Sequence, residues 1–464
     1  MMRRFLSVFL LFAAFRLSVE GIEAVGDNSS STCSSKPFIN GRIQFFGGEI
    51  LQHEGAYIPV TSPVRDPDTG ERTVIGEMAQ MSEAEALQVL ESAKAAWARG
   101  QGEWPLMSLA DRVSAVLRAV EEIKVRREEI IATLVWEICK SVDEARLEFD
   151  RTMAFIEATV AALKAMDAEG MMRTVSGMMV RVRRVAIGIM LCLGPFNYPF
   201  NETYATLIPA LLLGNVVVMK IPSIGGLAHM LTAQAFAAHL PPGVVNFITG
   251  SGRSTMGPLM ASGDIDVLAF IGGSRAADAL IKAHPNPHRL KVFLQLEGKN
   301  AGIVLPDADI ATAVDQIVLG TTSFNGQRCT GIDALSLHSF DLWVFNVFVA
   351  IKLVFVHESV IDAFLPRFTA AIEELVVDSP WTPNVRITPL PEPNKPAFLT
   401  ELIADAVAKG AKVLNSKGGE IRDGSLFTPA VVYPVDSSMR LWHEEQVLLL
   451  SSYVFTNIII NLWL

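Results

Sequence analysis

Three short apolar runs constrain this chain more than any other feature. Val216-Val217-Val218-Met219, Val244 to Ile248 and Val267 to Ile271 are apolar at almost every position. A strand with one wet face alternates apolar and polar residues, whereas a continuous run suits a strand covered on both faces. The runs end at Lys220, at Gly250-Ser251-Gly252 and at Gly272-Gly273-Ser274. A helical pattern from Leu227 to Leu240 separates the first two. Strand, helix and strand at this spacing form the βαβ unit of a doubly wound parallel sheet, so the fold class is α/β. Such sheets bind ligands in the crevice outside the carboxyl ends of their strands.

The rest of the chain fits an enzyme-sized α/β protein. At 464 residues and 50% hydrophobic, it can bury two or three cores. Residues 80–165 read as helices, opening with the N-cap and acidic first turn Ser82-Glu83-Ala84-Glu85. Residues 178–194 are rich in β-formers and end at Gly194-Pro195. The net charge of −10 and the lack of a long basic run argue against nucleic acid as a partner. Cys33, Cys139, Cys192 and Cys329 have no CxxC spacing, so neither a metal site nor a disulfide scaffold is indicated.

Several residues have the chemistry of a site. In Ser323-Phe324-Asn325-Gly326-Gln327-Arg328-Cys329-Thr330-Gly331 a cysteine sits in a polar turn beside an arginine. A neighbouring cation favours the reactive thiolate, although a surface loop holding a cysteine is an alternative. Asn197, in Gly194-Pro195-Phe196-Asn197-Tyr198-Pro199, offers a fixed amide N–H of the kind an oxyanion needs, or is a turn residue between prolines. Lys220, at a strand's end, can pair with phosphate or a ribose, or is a solvated boundary lysine. Gly252, Gly272, Gly273 and Ser274 lie in turns leading into helical segments, where glycine lets backbone approach a pyrophosphate, though ordinary turns look the same. Glu297, in Leu296-Glu297-Gly298-Lys299, is a general base if half-buried, and otherwise part of a surface turn.

Pro195-Phe196-Asn197-Tyr198-Pro199, Gly326-Gln327-Arg328-Cys329-Thr330 and His443-Glu444-Glu445, in that order and spacing, make the chain resemble the aldehyde dehydrogenase superfamily over roughly residues 37–332 and 351–446. Within it the chain is similar to the non-phosphorylating, NADP-dependent glyceraldehyde-3-phosphate dehydrogenases. The resemblance implies a thioester mechanism. Cys329 attacks the aldehyde carbon, and Asn197 with the Cys329 N–H holds the oxyanion. Lys220 touches the adenosine ribose, Gly272 to Ser274 the dinucleotide region and Glu445 the nicotinamide ribose. Many NAD-preferring relatives carry a glutamate three positions after this lysine, and here Ser223 stands there. A neutral donor beside Lys220 suits a 2′-phosphate, which favours NADP while leaving NAD possible. Arg151, Tyr198 and Arg328 match the pattern that binds a phosphorylated aldehyde. A dimer or tetramer is the family expectation.

Three departures stand against that pattern. The family's base position holds Gln295, with Glu297 two residues on. Either the base has moved to Glu297, which shares a face with Gln295 if the strand continues through both, or deacylation is impaired; a dehydrogenase for another (semi)aldehyde and a catalytically impaired binding protein are the alternative functions. Asp333 to Ala350 has no family counterpart, and the family pattern stops at Gln446. The domains then read as a signal-like segment at 1–36, an NAD(P)-binding domain at 37–298 with an oligomerisation segment near 170–192, and a catalytic domain at 299–446 with an anomalous insert at 333–350. A non-family apolar tail occupies 447–464, a marginal membrane span by length and composition. Met1-Met2-Arg3-Arg4 with the apolar run Phe5 to Phe15 resembles a secretory signal, which points to a secretory-route organelle such as a plastid; without it the expectation is cytoplasmic.

The aromatic insert and the tail read as translated intron sequence, because the insert taken literally exposes a large apolar surface. The mature transcript is expected to lack the 333–350 codons. Sequencing it across both junctions checks this, and a message that retains them refutes the reading.

Overall fold

The computed structural model describes residues 34–170, 172–328, 351–444 and 450–455. They gather into two compact units. Of the described residues, the first holds those up to Thr61 together with 74–137 and 145–295; the second holds 62–73, 138–144 and those from Leu296 onward. Two early stretches, 62–73 and 138–144, thus lie with the later part of the chain, because unit membership follows spatial contacts and not chain order.

In the first unit short strands at Ile39–Gly41, Ile43–Phe46 and Glu49–Gln52 come first, and helices α1 (Glu83–Trp97), α2 (Leu109–Val125), α3 (Arg127–Ile138) and α4 (Val142–Gly170) follow, with Ile138 and the first turn of α4 falling in the second unit. The Ser82 hydroxyl accepts the Glu85 N–H at 3.3 Å, and the Glu85 carboxylate accepts the Ser82 N–H at 2.7 Å. This capping box satisfies two donors the helix cannot satisfy itself. α1 then buries Ala86, Val89, Leu90 and Ala93, which recur at helical spacing.

The stretch rich in β-formers divides in two. A hairpin pairs β1 (Arg173–Val175) with β2 (Met178–Val180), and its Met178 and Met179 are exposed. This hairpin falls within the expected oligomerisation segment. The later part, β3 (Ile189–Leu193), instead joins a central sheet with β4 (Val216–Lys220), β5 (Val245–Ile248), β6 (Val267–Gly272) and β7 (Lys291–Leu296).

The order across that sheet is β5-β4-β3-β6-β7. The pairs β5–β4, β4–β3 and β3–β6 are parallel. Every residue of β4 is buried, as its unbroken apolar run requires. Helix α5 (Pro199–Leu212) follows β3. The helix expected over 227–240 is two short ones, α6 (Leu227–Met230) and α7 (Ala233–His239). Between them the Thr232 N–H and hydroxyl both donate to the His229 carbonyl, at 3.0 and 2.7 Å, diverting it from the helical ladder. α8 (Gly252–Ala261) and α9 (Ser274–Ala283) open directly at the two glycine turns.

The second unit has its own sheet. Its strands are β8 (Asn300–Val304), β9 (Ile351–Val356), β10 (Lys412–Val413), β11 (Ala430–Tyr433) and β12 (Leu450–Phe455). Helix α10 (Ile310–Thr322) holds Ile317, Val318 and Leu319, and α11 (Ile361–Glu373) packs with it in one apolar cluster. The strand order is β8-β9-β12-β11-β10.

Part of the tail enters this sheet. Leu450–Phe455 lies within 447–464, yet it is the middle strand of the sheet, parallel to both β9 and β11. The strand is built from backbone hydrogen bonds, which any apolar run of β-formers supplies without the family's own sequence. Among the described residues no helix is long and apolar enough to cross a membrane. Cys139 and Cys192 are buried free thiols; burial pushes the first up to about 12 and the second up to about 11, which keeps them unreactive. The signal-like segment and the insert lie outside the described residues.

Ending the chain after Gln446 removes β12 and leaves the facing edges of β9 and β11 unpaired. The cost is expected to approach the whole stability of a domain, about 5–15 kcal/mol. Limited proteolysis checks it: the second unit should be digested while the first survives.

Candidate active site

In the first unit the candidate residues collect on loops that follow strands of the parallel sheet. β3 ends at Leu193, and the 194–198 loop carries Asn197 into the start of α5. Asn197 is only 5% exposed. Its side-chain oxygen accepts the Tyr198 N–H at 3.1 Å. Tyr198 is half-buried at the N-cap of α5. The buried Glu148 of α4 accepts the next two N–H groups, from Phe200 at 3.0 Å and Asn201 at 3.1 Å. This carboxylate caps the positive end of α5 and anchors the loop that presents Asn197. Arg151 lies half-buried on α4, three residues beyond it.

Lys220 is the last residue of β4, and its side chain is buried. Burial alone pushes its ammonium down to about 8. The ammonium donates to the Ile221 carbonyl at 2.5 Å. Ser223 is exposed at the tip of the loop that follows. Gly272 closes β6, Gly273 is the N-cap of α9 and Ser274 is its first residue. Space over two of the glycines is open: a Cβ on Gly273 would meet nothing within 4 Å, and one on Gly252 nothing nearer than 3.8 Å, whereas one on Gly272 would sit 2.8 Å from the Phe270 ring.

In the second unit the approach to Cys329 is buried and strained. Ser323, Phe324, Asn325 and Gln327 are all at most 3% exposed, so the polar turn expected from sequence is an interior one. Phe324, Asn325 and Gly326 have φ of 44°, 56° and 69° in succession. Left-handed backbone costs a residue with a side chain about 1–2 kcal/mol, and persists only where surroundings impose it. Here they do. The Asn325 amide donates to the Thr388 carbonyl at 3.0 Å and accepts the Thr388 N–H at 2.9 Å. The Phe324 N–H donates to Glu144 at 2.9 Å, and the Lys352 ammonium donates to the Gly326 carbonyl at 2.5 Å. Lys140 sits 4.6 Å from the Phe324 ring centroid. Arg328 is half-buried at the end of this turn.

Sequence reading missed these supporting residues. Glu144, Lys140, Lys352 and Thr388 lie far from Cys329 in the chain, and none sits in a motif. The one local signal was Asn325-Gly326, a pair that tolerates positive φ. Cys329 and Glu445 lie outside the described residues.

Glu297 departs from its expected setting. β7 ends at Leu296, with Gln295 inside the strand and half-buried, while Glu297 lies beyond the end and is exposed. The shared-face argument required a strand that continued through both positions. The burial expected to make Glu297 a stronger base is absent.

A parallel sheet whose carboxyl-end loops carry a buried lysine and glycine-led helices has the form used by dinucleotide-binding proteins. The aldehyde dehydrogenase family model matches residues 56–340 and 347–447, and the chain belongs to that family of aldehyde-oxidising oxidoreductases. The stretch it passes over, 341–346, lies inside the insert. The chain is 33% identical over 386 residues to an NADP-dependent glyceraldehyde-3-phosphate dehydrogenase of Streptococcus equinus, covering 82% of this chain and 74% of that one. It is 26% identical over 390 residues to a chloroplastic betaine aldehyde dehydrogenase of Beta vulgaris, covering 82% and 74%. The crystal structure of the Bacillus halodurans NADP-dependent glyceraldehyde-3-phosphate dehydrogenase complexed with NADP superposes with a TM-score of 0.77 at 28% identity, covering 90% of this chain and 82% of that one.

The residues present fit the nicotinamide dinucleotide that the family implies. Burial lowers the pKa of the Lys220 ammonium, an environment an anion would relieve, and the open Gly252 and Gly273 leave backbone approachable by a pyrophosphate.

Lys220 gives a pH prediction. Its ammonium is present below about 8 and lost above it. A bound 2′-phosphate favours the charged form, so affinity is full below that pH and falls as pH rises through it. The dissociation constant for NADP is expected to rise about tenfold per unit above the transition, while that for NAD rises less. Calorimetric titration of both nucleotides from pH 7 to 10 checks this.

Proposed function

We propose that this chain is built to oxidise glyceraldehyde-3-phosphate to 3-phosphoglycerate with NADP. The observation that carries the cofactor choice is the neutral, exposed Ser223 three residues beyond the buried Lys220. No carboxylate stands there to repel a 2′-phosphate, and a hydroxyl can donate to it. The likeness to the Streptococcus equinus and Bacillus halodurans proteins supports the same reading. Lys220, Ser223, Gly252, Gly272, Gly273 and Ser274 hold the dinucleotide, with Glu445 on its nicotinamide side. When bound, that cofactor supplies the two-electron acceptor.

The chain's own residues do the rest. The Cys329 thiolate forms a bond to the aldehyde carbon, and the carbonyl oxygen becomes an oxyanion. The Asn197 amide and the Cys329 N–H hold that charge, the role worth most in acyl transfer. Oxidation leaves a thioester on Cys329. Water, giving a proton to Glu297, attacks the thioester and releases the acid and the thiolate. Arg151, Tyr198 and Arg328 receive the substrate phosphate.

A second reading has a specific observation behind it. With Glu297 exposed beyond β7 and Gln295 in the strand, acylation outruns deacylation. The chain then oxidises one equivalent of aldehyde and stalls as the thioester. Likeness to the betaine aldehyde enzyme leaves a different aldehyde as the other alternative.

Rapid-mixing measurement of NADPH separates these outcomes. Full function gives a burst followed by turnover, and the impaired reading gives a burst alone. Arg151→Ala is expected to raise KM for glyceraldehyde-3-phosphate by about 10–100-fold, the loss of one charged hydrogen bond, and to leave KM for unphosphorylated glyceraldehyde nearly unchanged. Equal effects on both would exclude a phosphate-binding role.

A further inference from the structure

We propose that Glu137 is a positioning residue that fixes the 221–227 loop and thereby places Ser223 for recognition of the nucleotide's 2′ end. The inference rests on the cofactor reading above and adds a residue that no motif marks.

Glu137 lies near the end of α3 and is 1% exposed. One carboxylate oxygen accepts the Gly226 N–H at 2.9 Å and the other the Leu227 N–H at 3.0 Å; the Gly225 N–H also bonds to the group. These donors open α6, which has four residues and no side-chain cap of its own. So short a helix has little internal hydrogen bonding to hold its first turn. The carboxylate does that from outside. Burial raises its pKa to about 7, and the backbone donors oppose that rise by favouring the anion.

The other end of the loop is also held. The Ile221 N–H donates to the Ile248 carbonyl at 2.8 Å, extending the sheet ladder past Lys220. Between the two anchors lie only Pro222, Ser223, Ile224 and Gly225. Pro222 has a restricted φ, and Gly225 has a φ of 78°. A Cβ on Gly225 would sit 2.9 Å from the Phe196 carbonyl oxygen, so the loop packs directly on the segment that carries Asn197. Ser223 is exposed at the tip of this short span. Its position follows from where the two anchors are.

Glutamine is the informative substitution. The Glu137 oxygens face two separate N–H donors, so Glu137→Gln turns an NH₂ toward one of them while keeping the volume. The test combines melting temperature, hydrogen–deuterium exchange of peptides spanning 221–230, and nucleotide titration of the full chain. Glu137→Gln is expected to remain folded, to exchange faster in those peptides, and to bind NADP about tenfold more weakly with a smaller change for NAD. Unchanged exchange, unchanged NADP affinity, or equal losses for NADP and NAD would each overturn the inference. If Glu137→Gln does not fold, Glu137→Asp keeps the charge and withdraws it by one methylene, and the same split is read from it. A wild-type chain that binds neither nucleotide overturns the cofactor reading and this inference with it. That outcome is distinct from failure of the anchor alone, because the exchange measurement needs no ligand.

Discussion

Strand β4 is hydrogen-bonded on both edges and buried on both faces, and the first unit's site depends on that. A parallel strand cannot turn back through a hairpin, so the chain must leave its carboxyl end and cross over. The loops holding Asn197, Lys220, Ser223 and the glycines all leave such ends. Burying Val216, Val217, Val218 and Met219 completely contributes on the order of 1.5–3 kcal/mol per side chain. The same burial desolvates Lys220, the next residue along. The cation's lowered pKa is thus a consequence of the strand that presents it.

Buried carboxylates then set the loops. Glu148 takes the first free N–H groups of α5, and Glu137 takes those of α6. Both come from the helices that precede the sheet in the chain. In the second unit a different device serves the approach to Cys329. Two consecutive left-handed residues with side chains are held by the reciprocal Asn325–Thr388 bonds, by Glu144 and by Lys352. Strain of this kind has to be opposed by several partners at once, and it is common where backbone serves chemistry.

Legibility followed the range of the interactions. The continuous runs named β4, β5 and β6 nearly to the residue, because burial on two faces leaves a local mark. The Ser82 N-cap and acidic first turn announced α1 for the same reason. The break between α6 and α7 went unread, since a threonine inside an apolar helical pattern carries no distinct signal. Glu297 was read as a half-buried base or a surface turn, and its short local sequence did not say that the strand stops at Leu296 and leaves it exposed. Leu450–Phe455 lies in the tail read as non-family, and its local sequence assigned it no place in a sheet. Its composition shows only that it is apolar; the unfilled position between β9 and β11 gives it a role.

By itself the sequence determined the α/β class, the order of the motifs and the residue types at the candidate site. Each of these is encoded by periodicity or by adjacent residues. The tertiary structure alone decided which carboxylates hold the loops, that Asn197 and Lys220 are buried while Glu297 is exposed, and that the tail completes a sheet. Hydrogen bonds between residues such as Glu137 and Gly226, or Asn325 and Thr388, join positions distant in the chain. Nothing in the local sequence of either partner specifies the other, and only the packing of strands and helices brings them within bonding distance.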